Sequence, residues 1–346
     1  MTSSPRPAPF SSTARLADIA GQAGVSEATV SRVLNGKTGV ASDTRQRVLA
    51  ALDVLGYERP VRLRQRSAGL VGLVIPELTN PIFPAFAQVI EQVLTGQGYT
   101  PVLGTQMPGG ATEDELVEQL VDRGVNGIVF LSGLHADSSA DPERYARLAG
   151  RGVPFVLING YNPAVSAPFV SPDDRAAARM AVRHLVDLGH APDRIGLALG
   201  PRRYVPAARK TEGFLAELGQ EAVERVRYTL FTVEGGHAAA GSLLDQGCTG
   251  VVCGSDLMAL GAVRAARERG LSVPSDVSLV GYDDSPLIAF TQPPLTTLRQ
   301  PVREMAQAAV GALLEEVAGS PVPHTEFVFP PELVVRESTG KPPPAG

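Results

Sequence analysis

With 346 residues, 44% of them hydrophobic and 5% aromatic, the chain is too long for one ordinary domain and suits a small module joined to one or two larger α/β units. Its net charge of −5 conceals an asymmetry: residues 1–68 carry ten Arg/Lys against five Asp/Glu, so a basic head precedes a body of net charge −10, the balance expected of a nucleic-acid-binding module on an acidic partner. No run approaches about 18 apolar residues and MTSSPRPAPFSSTA lacks the charged-then-apolar order of a signal peptide, so neither a membrane protein nor an exported one is expected, and the expected compartment is the cytoplasm.

Residues 1–12, rich in Ser and Pro, read as a disordered tail. The stretch from Leu16 to Asn35, LADIAGQAGVSEATVSRVLN, then predicts two short helices around a tight turn. Leu16, Ile19 and Ala20 share one face of the first helix; Ala23-Gly24-Val25 supplies the turn; Val30, Val33 and Leu34 form the buried stripe of the second. Ser26 is placed to cap that second helix, because its hydroxyl can accept from the free N–H groups of the first turn. Glu27, Ala28, Thr29, Ser31, Arg32 and Asn35 remain for the outward face. An arginine fork, short hydroxyls and an amide suit the edges of bases and the phosphates around them. An ordinary helical hairpin with a solvated polar face is the alternative, and the Ala-Gly-Val turn followed by a capping Ser is more specific than that.

From Asp18 to Asn35 the sequence resembles the helix-turn-helix of LacI-type bacterial repressors, whose signature runs D-V/I-A-x-x-A-G-V-S-x-x-T-V-S-R-V-L-N. The resemblance extends over residues 15 to 337 and includes a third helix, expected from Ser42, as its cap, to Gly56, closed by the Gly56-Tyr57 pair. It implies a DNA-binding domain over 13–58, a double-stranded, pseudo-palindromic operator as partner, a homodimer to match its two half-sites, and a small sugar as effector. Residues 59–68, with arginines at 59, 62, 64 and 66, fall where the family has a hinge helix that wedges a leucine pair into the minor groove. The family pattern x-P-N-x-x-A-R-x-L is only partly kept: Arg64 matches, Leu63 takes the alanine place and Arg66 takes that of the wedge leucine. Three uses stay open, namely Leu63 as the wedge, Arg64 and Arg66 in a narrowed minor groove, or a basic tether on phosphates.

Beyond Gly69 the texture becomes strand-then-helix. Apolar runs at Leu70–Ile75, Tyr99–Thr105, Gly127–Leu131 and Pro154–Ile158 form a first series; Arg194–Leu199, Tyr228–Val233, Gly250–Cys253 and Val277–Gly281 form a second. Runs of this kind, buried on both faces, predict parallel sheets with crossover helices. Thr112-Glu113-Asp114-Glu115 is a capping box, and Asp141-Pro142 a cap followed by a helix-starting proline. Cys248 and Cys253 read as buried free thiols. The fold class expected is α/β, a helix-turn-helix domain followed by a two-lobed body of doubly wound parallel sheets like periplasmic binding proteins. Lobe 1 is expected over 69–165 and 302–329, lobe 2 over 166–301 and 330–337, and 338–346 as a disordered tail. Ligand should bind between the lobes, at the carboxyl ends of the strands.

No catalytic constellation, cofactor motif or metal site is legible. His184 and His190 read as solvated or capping residues at a helix end, Gly200-Pro201-Arg202-Arg203 as a turn, and Asp173-Asp174 as carboxylates opening a helix. The resemblance instead implies effector contacts at strand ends. These are Asn80 and Phe83 in Asn80-Pro81-Ile82-Phe83, Asn159 where relatives have a sugar-contacting Asp, Ser255-Asp256, Asp283 in Val280-Gly281-Tyr282-Asp283-Asp284, and Gln300. The family's ligand-binding arginine is replaced by Lys210, with Arg209 adjacent, so either could supply the cation. Carboxylates, amides and one cation around an aromatic plate suit an uncharged, polyhydroxylated ligand. The reading is a homodimeric transcriptional repressor, not an enzyme, similar to actinobacterial regulators of maltose and other α-glucan use, with a sugar-binding transport-type protein as the alternative.

Overall fold

The computed structural model describes residues 12–35, 37, 39–55, 68–106 and 109–344, and divides into two compact units, residues 1–67 and 68–346. In the first unit, α1 (Ser12–Ala23), α2 (Glu27–Leu34) and α3 (Ser42–Val54) enclose a core of Ile19, Ala20, Ala23, Val30, Val33, Val48, Ala51 and Leu52. Gly24 at φ +63° closes α1: Val25 N–H reaches back to Ala20 O at 3.1 Å, a geometry that a side chain at position 24 would strain. Ser26 caps α2 as expected, accepting from Thr29 N–H at 3.2 Å. The third helix starts at Ser42 itself, with Ala41 in the capping position, so the expectation of Ser42 as cap is corrected by one residue. The Gly56-Tyr57 pair lies outside the described residues.

The second unit holds two six-stranded sheets. The first is parallel throughout and runs β11-β5-β4-β3-β1-β2, built from β1 (Gly69–Ile75), β2 (Tyr99–Thr105), β3 (Gly127–Leu131), β4 (Phe155–Ile158), β5 (Phe169–Pro172) and β11 (Glu326–Phe329). The second runs β12-β10-β9-β8-β6-β7, from β6 (Ile195–Leu199), β7 (Val226–Tyr228), β8 (Gly250–Cys253), β9 (Ser278–Asp283), β10 (Thr296–Arg299) and β12 (Glu332–Val334), with β12 alone antiparallel. Helices cover both faces of each. On the first sheet α4 (Ile82–Gly96) and α11 (Val302–Val317) pack on one face, and α5 (Glu113–Asp122) and α6 (Glu143–Gly150) on the other. On the second, α7 (Asp174–Asp187) and α8 (Val205–Leu218) oppose α9 (Val233–Asp245) and α10 (Asp256–Glu268). The inner strands β1, β3, β4, β6 and β8 are near-continuous apolar runs because both of their faces are buried, whereas the edge strands β2, β7, β11 and β12 are partly exposed.

The capping box at Thr112 forms in full. At Asp141-Pro142 the carboxylate of Asp141 accepts from Glu143 N–H at 3.0 Å, one place before the residue that ends up in the capping position. Other expectations need correction. The strand sought over 228–233 is β7, at 226–228, because Thr232 caps α9 and takes the following residues into a helix. Residues 169–172, expected in lobe 2, form β5 in the first sheet, so the chain crosses after Pro172 and not near 165. The tail from 338 is ordered through 344: Ser338 is fully buried, donates to Leu279 O at 2.6 Å and accepts from Thr296 N–H at 2.8 Å. His190 is neither solvated nor a cap. It is buried, its ring bonded to Thr249 and Ser278 hydroxyls and Gly340 O, while His184 holds Thr339; together they pin the carboxyl-terminal segment to the second lobe. Cys248 and Cys253 are buried and unpaired with each other, and burial pushes the Cys253 thiol up to about 12.

Candidate functional site

Two sites emerge, one in each unit. In the first, Ser26, Glu27, Ala28, Arg32 and Asn35 are exposed and Thr29 and Ser31 half-buried, all on the face of α2 opposite its buried Val30 and Val33. Short hydrogen bonds within the face order it: Ser26 Oγ to Thr29 Oγ1 at 2.9 Å, and Asn35 Nδ2 donating to Ser31 Oγ at 3.2 Å. Such a helix can lie in a major groove and present the Arg32 fork to base edges. Leu63, Arg64 and Arg66 lie outside the described residues.

The second site is a cleft of about 410 Å³ between the two sheets, at the carboxyl ends of their strands. Seven of the nine residues expected to contact an effector line it: Asn80, Phe83, Asn159, Lys210, Ser255, Asp283 and Gln300. Its apolar walls come from Phe83, Leu131, Tyr204 and Phe231, and its polar atoms from the two rims. Among the described residues the non-glycine positions with positive φ are Ser132 (48°), Asn159 (67°), Asp283 (117°) and Asp284 (55°). All four follow or end a strand, β3, β4 or β9, and three line the cleft. Such conformations cost about 1–3 kcal/mol each and gather where a fold must aim side chains at a ligand. Asn159 Nδ2, for example, donates to Ser132 Oγ at 2.6 Å, joining two adjacent strand ends.

Both cations in the cleft lining, Lys210 and Arg203, are paired with carboxylates. Gly213 lets α8 approach α7 closely, since a Cβ there would stand 2.3 Å from Arg175 O, and this brings Lys210 to the buried Asp174. Lys210 Nζ ion-pairs with Asp174 and sits 3.7 Å from the ring centroid of Tyr282, whose hydroxyl donates to the same carboxylate at 3.0 Å. The carboxylates that opened a helix in the sequence therefore divide: Asp173 caps α7, accepting from Ala176 N–H, and Asp174 is the counter-ion of the cleft's lysine. Arg203, read as part of a turn, lines the cleft and pairs with Asp137 at 2.7 Å. Asp283 is buried, accepts from Gln300 Nε2 at 2.7 Å, and is held well above the usual carboxylate range by burial and by neighbouring Asp256. Gln300 Oε1 has no protein partner.

Two expected contacts lie elsewhere. Arg209 is not in the cleft lining; it makes a bidentate pair with Glu326 on β11, at 2.5 and 2.9 Å, and so ties α8 of the second lobe to the first sheet. Asp256 is not in the lining either. It is consumed by Ser285 N–H and Thr297 Oγ1, both at 2.7 Å, and burial raises it to about 6. Sequence reasoning missed Gln106, Ser132, Asp174, Arg203, Tyr204, Phe231 and Tyr282; only Tyr282 stood within a quoted strand-end motif.

Comparison with known proteins bears on both units. Residues 15–59 match the model of bacterial regulatory proteins of the lacI family, and residues 182–339 that of a periplasmic binding protein-like domain. The HTH-type transcriptional regulator MalR of Streptomyces coelicolor is 68% identical over 339 residues, 96% of this chain and 98% of that one. Among solved structures, a complex of the transcriptional regulator CelR with cellobiose superposes with a TM-score of 0.69 at 32% identity, covering 93% of this chain and 99% of that one. A Lac repressor dimer bound to operator and the anti-inducer ONPF gives 0.68 at 29%, covering 94% and 98%. With a helix-turn-helix on one unit and a strained cleft with paired cations in the other, the chain belongs to the lacI family of bacterial regulatory proteins and is a DNA-binding transcriptional regulator.

Proposed function

We propose that the chain is a cytoplasmic, non-catalytic repressor that binds a pseudo-palindromic operator as a homodimer and changes its operator affinity when a maltose-type saccharide occupies the cleft. Ser26, Glu27, Ala28, Thr29, Ser31, Arg32 and Asn35 are its groove-facing set, with Leu63, Arg64 and Arg66 following as a minor-groove hinge. Asn80, Phe83, Asn159, Lys210, Asp283 and Gln300 contact the effector, and Ser255 supports the wall as the cap of α10, accepting from Met258 N–H at 3.3 Å. Leu287 and Phe290, 72% and 84% exposed, supply apolar surface for the partner copy.

The observation that carries the saccharide is the pairing of both cations in the cleft lining, Lys210 with Asp174 and Arg203 with Asp137, beside an Asp283 carboxyl that burial holds well above its usual range. An anionic ligand finds no free counter-charge there, whereas hydroxyl groups find donors, acceptors and aromatic faces. The cellobiose held by CelR supports a disaccharide, and the 68% identity with MalR supports the likeness to actinobacterial α-glucan regulators. The test is a thermal-shift screen of maltose, cellobiose, glucose and a sugar phosphate, followed by operator titration with the best binder. Stabilisation by maltose together with a changed operator affinity is expected; preference for the phosphorylated sugar would overturn the reading.

A further inference from the structure

Glu113 is the first residue of α5 and is almost fully buried, yet it belongs to no ion pair among the described residues. Its carboxylate is surrounded by donors. Oε2 accepts from Leu134 N–H at 2.9 Å and from Gln106 Nε2 at 2.8 Å, and Oε1 accepts from the Tyr145 hydroxyl at 2.7 Å. The Tyr145 oxygen in turn accepts from His135 N–H at 2.8 Å, which leaves its proton for Glu113. Gly133 has no side chain because a Cβ there would stand 2.5 Å from Oε2.

Gln106 follows β2 and lines the cleft, its backbone N–H bonded to Ile75 O at 3.0 Å. An amide side chain can be turned either way round, and its neighbours decide which end faces where. With Leu134 N–H on Oε2 and the Tyr145 hydroxyl on Oε1 already donating to it, Glu113 faces Gln106 as an acceptor, so Gln106 gives it nitrogen and turns its carbonyl oxygen away. We infer that Glu113 is a positioning residue that fixes Gln106 as a hydrogen-bond acceptor in the cleft, so that the first lobe selects ligands with a hydroxyl donor at that place and rejects analogues lacking it. On the opposite lobe Gln300 is turned in a similar sense, its Nε2 donating to Asp283 and its Oε1 left without a protein partner. Reversing Gln106 would set oxygen against oxygen in a buried setting, which is costly enough to hold one orientation.

The inference rests on the saccharide reading for its ligand, and two measurements keep the two apart. In the ligand-free protein, the Gln106 side-chain amide resonance, identified by its loss in Gln106→Met, is expected to exchange with solvent more slowly than those of solvent-exposed glutamine side chains. In Glu113→Gln, which can donate as well as accept, that protection should fall. Equal exchange in the wild type and Glu113→Gln would overturn the positioning role whatever the ligand. Calorimetry with maltose and its monodeoxy analogues gives the second measurement. The wild type should disfavour one analogue by about five- to tenfold, Gln106→Met should bind that analogue and maltose alike, and Glu113→Gln should narrow the gap while keeping its melting temperature within a few degrees. Unchanged discrimination in Gln106→Met would overturn the acceptor role. Failure of maltose to bind the wild type would overturn the saccharide reading and leave the positioning of Gln106 to be decided by the exchange measurement.

Discussion

Asp137 in the first lobe and Arg203 in the second meet across the cleft at 2.7 Å, and the backbone joins them too, with Ser138 N–H donating to Arg203 O at 2.9 Å. Burial pushes the Asp137 carboxyl up, but hydrogen bonds from Ser139 and Arg203 outweigh it and hold the group below its usual range. This contact and the Arg209–Glu326 pair bridge the lobes at separate places. Because Arg203 is largely solvated, its Coulombic share is modest and sensitive to salt. Arg203→Ala should weaken saccharide binding about two- to fivefold at low salt and less at 0.5 M salt, with a larger radius of gyration by small-angle scattering. Unaltered affinity and radius would remove the pair from cleft closure.

Phe83→Ala should cost at least about tenfold in saccharide affinity, through lost aromatic area against the sugar. Asp283→Asn and Asp283→Ala should differ. A carboxyl whose ionisation is disfavoured by burial and by Asp256 is imitated by an amide that still accepts from Gln300, so Asn should retain most affinity and Ala little. Calorimetry decides, and Asn failing as badly as Ala would show that an ionised carboxylate is needed. All three variants should bind operator normally without effector, since they lie outside the DNA-binding unit.

On the DNA side, Arg32→Ala should cost about 1–3 kcal/mol of operator binding and much less on non-specific DNA. Equal losses on both would mark a phosphate contact instead.

His135 gives a pH signature. Burial, partly offset by a hydrogen bond to Ile158 O, lowers it to about 4 from an ordinary value of 6.5. Its native state favours the neutral ring, so this stabilisation is complete above pH 6.5 and is lost as pH falls from 6.5 toward 4, about 3 kcal/mol in all. In urea unfolding, His135→Gln should be less stable than the wild type at pH 7.5, and the gap should close by pH 4.5. Parallel losses in both proteins would show that other groups carry the acid limb.

Phe290→Glu should turn the dimer into a monomer by sedimentation at micromolar concentration and weaken operator binding, because one half-site is then read alone. Dimers persisting in this variant would place the contact elsewhere.

The parts of this protein legible in its sequence are those fixed by short-range chemistry. Gly24 followed by Ser26 announces the turn of the DNA-binding unit, and apolar runs such as Leu70–Ile75 announce strands buried on both faces. Seven of the residues named through resemblance line the cleft, whereas Arg209 and Asp256 lie outside its lining because they are taken up by Glu326 and Thr297, 117 and 41 residues away. Arg203 and Gln106 were missed for the same reason: an arginine in a turn and a glutamine after a strand carry no mark until the fold sets Asp137 and Glu113 beside them. The short strands at 169–172, 326–329 and 332–334 were missed because two or three alternating residues do not distinguish a strand from a loop.

β11 and the pinned segment at Ser338–Gly340 complete sheets begun at Gly69 and Ile195, which has a consequence for synthesis. Neither lobe can be finished until residues 326–340 have been translated, whereas the helix-turn-helix unit, with a core of its own, is complete by residue 55. At about 5–20 residues per second, roughly 15 to 60 s separate the two events. During that interval each nascent chain carries a finished DNA-reading head on a ribosome-tethered body that has no means yet of sensing anything.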